Sequence, residues 1–353
     1  MRILGVDLGQ SKSAWACLDS KTGELQQGWV GMEDAAWLRL LERCRPDQVV
    51  IESGPLAARV HDLVVSRGVK VLVADTTRAA WNWKNVKRKT DPDDALKLVR
   101  LALVGQINPV HVPALAVRQV RALLEYRHAL VAERTRCKNR IRATLLSSTG
   151  QRLAAGKEAW SVTARTALAA QMPPLGECAP DELWRGLIHT ELRLLADVAE
   201  RLAEVEAKLD ELAAANPEVA RVDGLPGVGP RTAQVIVAVL DRPRRFASRR
   251  QVSAYAGLTP RRYQSGQMDH SGRISKRGSR LLRWALNQAA WVTVRCRPEW
   301  RAVYLRLGGG TKKRRKQAIV AVMRKLLVVA WAVLRDGTAY QAHRLQPPAQ
   351  TPA

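Results

Sequence analysis

This sequence predicts an α/β domain at its N-terminus, a long helical middle and a mostly helical, strongly basic last third. Three observations predict it. Short apolar runs punctuated by turn residues fill residues 1–75. Two long stretches between residues 115 and 215 keep a helical repeat. Charge is also unevenly spread. Residues 1–113 carry 16 Lys+Arg against 13 Asp+Glu, residues 114–220 carry 15 against 14, and residues 221–353 carry 27 against 5. The net of +26 is therefore a property of the last third, and it calls for a polyanionic partner, nucleic acid first.

The N-terminal elements follow in order. Arg2 to Asp7 reads as a buried strand ending in an aspartate, and Leu8-Gly9-Gln10-Ser11 as a tight turn. Ser13 to Leu18 and Leu25 to Val30 read as two further strands, with Asp19 to Gly23 as the hairpin turn. Glu33 to Arg45 has helical periodicity. Gln48 to Ile51 is a short apolar strand followed by Glu52, Ala57 to Arg67 a helix, and Val69 to Ala74 a strand. The segment from Thr76 reads as helical before Lys87-Arg88-Lys89. In Lys89-Thr90-Asp91-Pro92-Asp93-Asp94-Ala95, Asp91 suits an N-cap and Pro92 the first helical position. Asp91 and Asp94, three apart, would share one helix face. Acidic residues in a first turn also serve the helix dipole, so that segment alone decides nothing. Three strands, a helix, then alternating strands and helices is a ribonuclease-H-like order. In that order Asp7 and Glu52 end strands that can converge, and with Asp91 and Asp94 they form a carboxylate set suited to a divalent cation. Gly5-Val6-Asp7-Leu8-Gly9 also resembles the first phosphate loop of actin-like ATPases. The further glycine-rich loops those enzymes need are not found downstream.

Residues 115–147 form an Arg-rich helix with Val117, Val120, Leu124, Val131 and Leu145 as an apolar stripe. Met172 to Gly176 reads as a linker. A second helix runs from about Asp181 to Ala215. Its Leu195, Val198, Leu202, Val205, Leu209 and Leu212 keep a coiled-coil spacing, and Asn216-Pro217 stops it. The two helices read as an antiparallel hairpin, which either supports a dimer or packs as an ordinary helical bundle. Asp223 to Ala233 resembles a helix-hairpin-helix, with Gly227, Gly229 and Arg231 at a phosphate. Phe246 to Gly257 reads as a helix. Arg261, Arg262, Arg273, Lys276 and Arg277 surround a serine-rich stretch that leads into a helix from Arg280 to Val294. Lys312, Lys313, Arg314, Arg315 and Lys316 begin the last helix, and the tail from Pro347 reads as disordered. Ser265 lies in a loop between a basic strand and Gly266. It could attack a phosphodiester or contact one, and the residues alone do not choose among Ser265, Ser271, Ser275 and Ser279. The domain expectation is 1–110, 111–217, 218–340 and a tail of 341–353.

Five scattered Cys and six scattered His give no metal-ligand spacing and fit reduced thiols. A strand beginning at Arg2 leaves no room for a leader, and the longest apolar run, near Leu326 to Leu334, is too short to span a bilayer. The expectation is a cytoplasmic, nucleoid-associated protein with no membrane partner.

Gly5 to Gly9, Ile51 to Gly54, Lys87 to Ala95, Leu225 to Gly229, Tyr255 to Leu258, Tyr263 to Gly266 and Gly272 to Gly278 stand in one order. Together they resemble the DEDD transposases of the insertion-sequence family IS110, over nearly the whole chain. The resemblance implies a RuvC-like domain whose Asp7, Glu52, Asp91 and Asp94 hold Mg²⁺, with Mn²⁺ as the alternative. It implies a coiled-coil middle and a C-terminal transposase domain in which Ser265 matches the nucleophile. It further implies donor and target DNA, a structured noncoding bridge RNA as guide, and a homo-oligomer, a dimer or a tetramer on DNA. The competing expectations are a hydrolytic nuclease of the junction-resolvase type and a non-catalytic nucleic-acid-binding protein.

Overall fold

The structure is a computed structural model that describes residues 1–75, 90–154, 156–265, 268–308 and 310–341. The helical reading from Thr76, the Lys87-Arg88-Lys89 run and the tail beyond 341 lie outside the described residues. The chain divides into two compact units, Met1–Ala114 and Leu115–Ala353.

In the first unit, β1 (Arg2–Asp7), β2 (Lys12–Asp19) and β3 (Leu25–Gly31) form an antiparallel meander. β4 (Gln48–Glu52) and β5 (Lys70–Ala74) add in parallel beside β1, giving the order β3-β2-β1-β4-β5. Alternation along the strands explains the two layers. Leu4, Val6, Trp15, Cys17, Val49 and Ile51 face one way, onto α1 (Asp34–Cys44) and α2 (Ala57–Val65). Ile3, Ala14, Ala16 and Val50 face the other way, onto Ala95, Leu98 and Val99 of α3 (Asp91–Leu103). That second face is built from small residues, so α3 comes very close. A Cβ added at Gly5 would lie 2.5 Å from the Ala95 carbonyl oxygen and 2.7 Å from Val99 Cγ2. Trp37 of α1, fully buried, anchors the other layer. Its truncation to alanine costs about 3–5 kcal/mol.

In the second unit, α4 (Leu115–Thr149) and α6 (Leu183–Ala214) lie antiparallel. Ion pairs fix the direction: Arg127 meets Glu206 at 2.5 Å and Arg140 meets Glu191 at 2.6 Å. The spaced positions Leu195, Val198, Leu202, Val205 and Leu209 of α6 are buried within the chain, and Leu212 is half-buried. Between the two helices lies α5 (Val162–Ala169), where the sequence suggested only a linker at Met172–Gly176. Met172 is buried and Leu175–Glu177 forms a short 3-10 turn.

Asn216 ends α6 and also starts α7 (Pro217–Asp223), its side chain accepting the Glu218 N–H at 3.0 Å. No break in the core falls there. One cluster runs from Leu124 and Val198 through α8 (Pro230–Leu240) to α10 (Arg280–Cys296) and α12 (Arg315–Asp336). α9 (Arg249–Tyr255) is shorter than the sequence suggested, with Ser248 as its cap. β6 (Pro260–Ser265) and β7 (Met268–Ile274) form a separate antiparallel pair. α11 (Pro298–Arg306) precedes Lys312–Arg314, which lie just ahead of α12. By length and composition α12 is apolar enough to cross a membrane, contrary to the reading of its apolar run as too short, but 56% of that window is buried in the unit.

Candidate functional site

Strand parity and one helix start place the four carboxylates on one side of the sheet. β1 and β4 are parallel, with Val6 paired to Ile51, and their next residues are Asp7 and Glu52. Asp7 is two and four residues beyond Gly5 and Ile3, and Glu52 is two beyond Val50. Pleat alternation therefore puts both acids on the face that α3 covers. On α3, Asp91 and Asp94 precede Ala95 and Leu98 by one turn along the sheet-facing stripe. The N-cap is Thr90, with Asp91 and Pro92 as the first two helical residues, so the helix starts one place earlier than the sequence reading of Asp91 as cap. Thr90 Oγ1 donates to Asp93 Oδ2 at 2.5 Å. Asp93 is thus spent on the helix start, and Asp94 is buried while Asp91 is exposed. Asp7 and Glu52 are half-buried. Four hard oxygen donors with no Cys or His among them suit Mg²⁺ or Mn²⁺. Among the described residues, no three His, Cys, Asp or Glu side chains lie together closely enough to hold an ion.

In the second unit the basic motifs meet. A groove of about 700 Å³ is lined by Arg273 and Lys276 from the β7 side and by Lys316 and Arg324 from α12, with His270 at its wall. His270 and Arg324 did not stand out in the sequence. Arg324 was legible in principle, since Lys316, Val320 and Arg324 follow at helical spacing on one face. Lys312 to Lys316 are all exposed. Arg315 stacks over Trp291 at 5.1 Å. Ser265 is the last residue of β6, paired with Met268, rather than a loop residue.

The turn that carries Lys276 and Arg277 is built on glycine. A Cβ at Gly257 would lie 2.2 Å from the Arg277 carbonyl oxygen, and one at Gly278 would lie 2.1 Å from that of Tyr255. Both glycines have positive φ, as does Lys276 at 56°. Arg283, missed in the sequence, donates to the carbonyls of Ala256, Arg277 and Gly278 at 3.2, 2.6 and 3.1 Å. Burial, with Arg280 second, pushes its guanidinium below the ordinary arginine value.

The other predicted phosphate contacts are placed differently. Gly227, at φ 70°, packs on α10, where a Cβ would meet Thr293 Oγ1 at 2.3 Å. Thr293 in turn donates to the Pro226 carbonyl at 2.6 Å. Gly229 caps α8 and faces open space. Arg231 is turned inward, donating to Asp210 at 2.8 Å and to the Glu206 carbonyl at 3.2 Å. Arg261 donates to the Ser275 carbonyl at 3.5 Å, and Arg262 is also engaged.

A transposase family model matches residues 4–149, which include all four carboxylates, and the model described as the IS116/IS110/IS902 transposase family matches residues 219–305. The transposase for insertion sequence element IS1111A of Coxiella burnetii is 31% identical over 258 residues, 72% of this chain and 68% of its own length. The chain belongs to the IS116/IS110/IS902 transposase family. The y4rJ protein of Sinorhizobium fredii is 29% identical over 326 residues, 86% of this transposase and 81% of its own length. The pilin gene-inverting protein of Moraxella lacunata is 32% identical over 117 residues, 33% of this chain and 36% of its own. Membership makes this transposase a DNA-acting enzyme of the transposase and recombinase class, and it implies a divalent metal.

Proposed function

We propose that this transposase cuts and rejoins DNA through a covalent phosphoserine, using Asp7, Glu52, Asp91 and Asp94 together with Ser265. The observation that carries the reading is the common face: two adjacent parallel strands end in Asp7 and Glu52 on the side covered by the helix bearing Asp91 and Asp94. When bound to these carboxylates, a divalent cation neutralises the scissile phosphate and eases deprotonation of an attacking hydroxyl. The Ser265 hydroxyl attacks phosphorus. An Oγ–P bond forms, the P–O3′ bond breaks, and the leaving 3′-oxygen takes a proton. The reverse attack by a 3′-hydroxyl of the other duplex releases Ser265 and conserves the bond energy without ATP. Arg273, Lys276 and Lys316 hold the nucleic-acid backbone in their groove.

The carboxylates and Ser265 belong to separate units, which supports a site completed between protomers of a dimer or of a tetramer on DNA. A structured noncoding guide RNA joins donor and target DNA in this reading, and the exposed Lys312–Lys316 run and the groove offer it cationic surface. A cytoplasmic, nucleoid-associated location follows from those partners.

A covalent-adduct trap tests the reading. Protein, Mg²⁺, labelled element-end and target DNA, and RNA transcribed from the element's flank are mixed and run on a denaturing gel. A DNA–protein band that needs metal, RNA and Ser265 is the expected result. Cut DNA without adduct, unchanged in Ser265→Ala, would replace the reading with hydrolysis by a water molecule.

A further inference from the structure

Four cations gather without an anion on the helical hairpin. Arg134, Lys138 and Arg142 stand at i, i+4 and i+8 on α4, one stripe of like charge that by itself disfavours the helix. Arg165 of α5 is near enough to act on the Lys138 ammonium. Lys138 Nζ lies 5.0 Å and the Arg142 guanidinium carbon 5.1 Å from the Trp160 ring, which is buried. The nearby acids are used elsewhere: Glu133 pairs with Arg136 and Arg140, and Glu191 pairs with Arg140. Among the described residues Arg134, Lys138, Arg142 and Arg165 form no ion pair. Two buried donors, Trp160 Nε1 and Arg165 Nε, have no acceptor. Burial first, and then Arg134, Arg165 and Arg142, hold the Lys138 ammonium below the usual lysine value. That is the electrostatic signature of cations packed together and partly dried. Trp160 and Arg165 also fall between the two matched family regions.

We propose that Arg134, Lys138, Arg142 and Arg165 around Trp160 form a second phosphodiester-binding site, on the helical hairpin and apart from the β7–α12 groove. The proposal rests on the reading of the protein as a nucleic-acid-binding transposase. A phosphate fits the cluster: it relieves the repulsion along α4 and needs no base recognition. Trp160 holds the cations rather than stacking on a base, since its ring is already covered.

The test uses the full chain. Amine-labelling rates of Lys138 and Lys316 are read by mass spectrometry with no nucleic acid, with a short DNA duplex, and with an RNA stem-loop. The expected result is severalfold protection of Lys138 by one nucleic acid, which names its source, with Lys316 protected as well. Arg134→Ala/Arg142→Ala/Arg165→Ala should also flatten the log Kd against log salt slope by about 2–3, at roughly 0.7–0.9 per lost phosphate contact. Arg142→Lys should keep the slope. The triple variant relieves repulsion but gives up the Arg142 contact with Trp160, so its thermal melt is taken alongside to show that it is folded where the slope is read. Lys316 protected with Lys138 fully reactive would overturn the second site and leave the nucleic-acid reading standing. Neither lysine protected would overturn both. Protection of Lys138 by rising protein concentration alone would assign the cluster to a second copy of the chain instead.

Discussion

At the scale of single residues, the start of α3 separates two kinds of aspartate that the sequence left alike. Asp93 accepts the Thr90 hydroxyl and serves the helix end. Asp94 is buried on the sheet-facing stripe. Asp93→Ala should therefore lower stability by about 0.5–1 kcal/mol in urea denaturation while DNA cleavage continues. Asp94→Asn should abolish cleavage with a nearly unchanged folded far-UV spectrum, and cleavage surviving in that variant would remove Asp94 from the proposed set. Gly227 gives a second contrast. With Thr293 Oγ1 2.3 Å from where a Cβ would stand and φ at 70°, Gly227→Ala should cost more than about 1 kcal/mol. Gly229→Ala, in open space and outside the left-handed region, gives up only a glycine cap and should cost less than Gly227→Ala.

At the scale of elements, the α4–α6 hairpin carries a pH signature. Burial, with the Glu191 carboxylate second, pushes the Cys137 thiol up to about 11. Glu133 and Arg140 also face it, the arginine acting in the opposite direction. An unfolded thiol ionises near about 8.5. Between these values the unfolded chain loses the proton and the folded one keeps it. This contribution to stability is full below about pH 8.5 and is lost as pH rises toward 11. The stability gap between wild type and Cys137→Ala should therefore narrow from pH 8 to pH 10.5 in denaturant titrations.

The elements also show what the sequence could and could not reveal. β1 to β5 and α1 to α3 were legible because strand alternation and helical repeats are strong local signals. α5 and α11 were not, since eight or nine residues carry too few turns to show a period. The strand β7 was hidden by its polar composition, and with it the place of Ser265 at a strand end rather than in a loop. The Thr90 cap was ambiguous because Thr and Asp both cap well. Element order made Asp7 and Glu52 legible as the ends of β1 and β4. The inward turn of Arg231 toward Asp210 was not, because nothing in local spacing records a partner 21 residues away.

At the scale of the whole molecule, charge is divided unevenly along the chain. Residues 1–113 carry 16 cations against 13 acids, and residues 221–353 carry 27 against 5. Polyanion binding should reside in the larger unit and fall steeply with salt, whereas carboxylate variants in the first unit should leave affinity unchanged. Filter binding across a salt series on wild type, Asp94→Asn and Lys276→Ala checks this. A salt slope altered by Asp94→Asn alone would contradict the division. The sequence suggested a boundary near residue 217 because Asn216-Pro217 reads as a stop. Asn216 serves there as a start, and Leu124, Val198 and Ile236 share one core on either side of it.

The facing glycines at 257 and 278 bear on how this protein can diverge. Each occupies space that the other's backbone turn would need if a side chain were present. Neither position can be replaced first without displacing the basic turn, and replacing the second afterwards restores nothing. The pair is therefore locked as a single heritable character across 21 residues of chain. At these two positions every single step leads downhill.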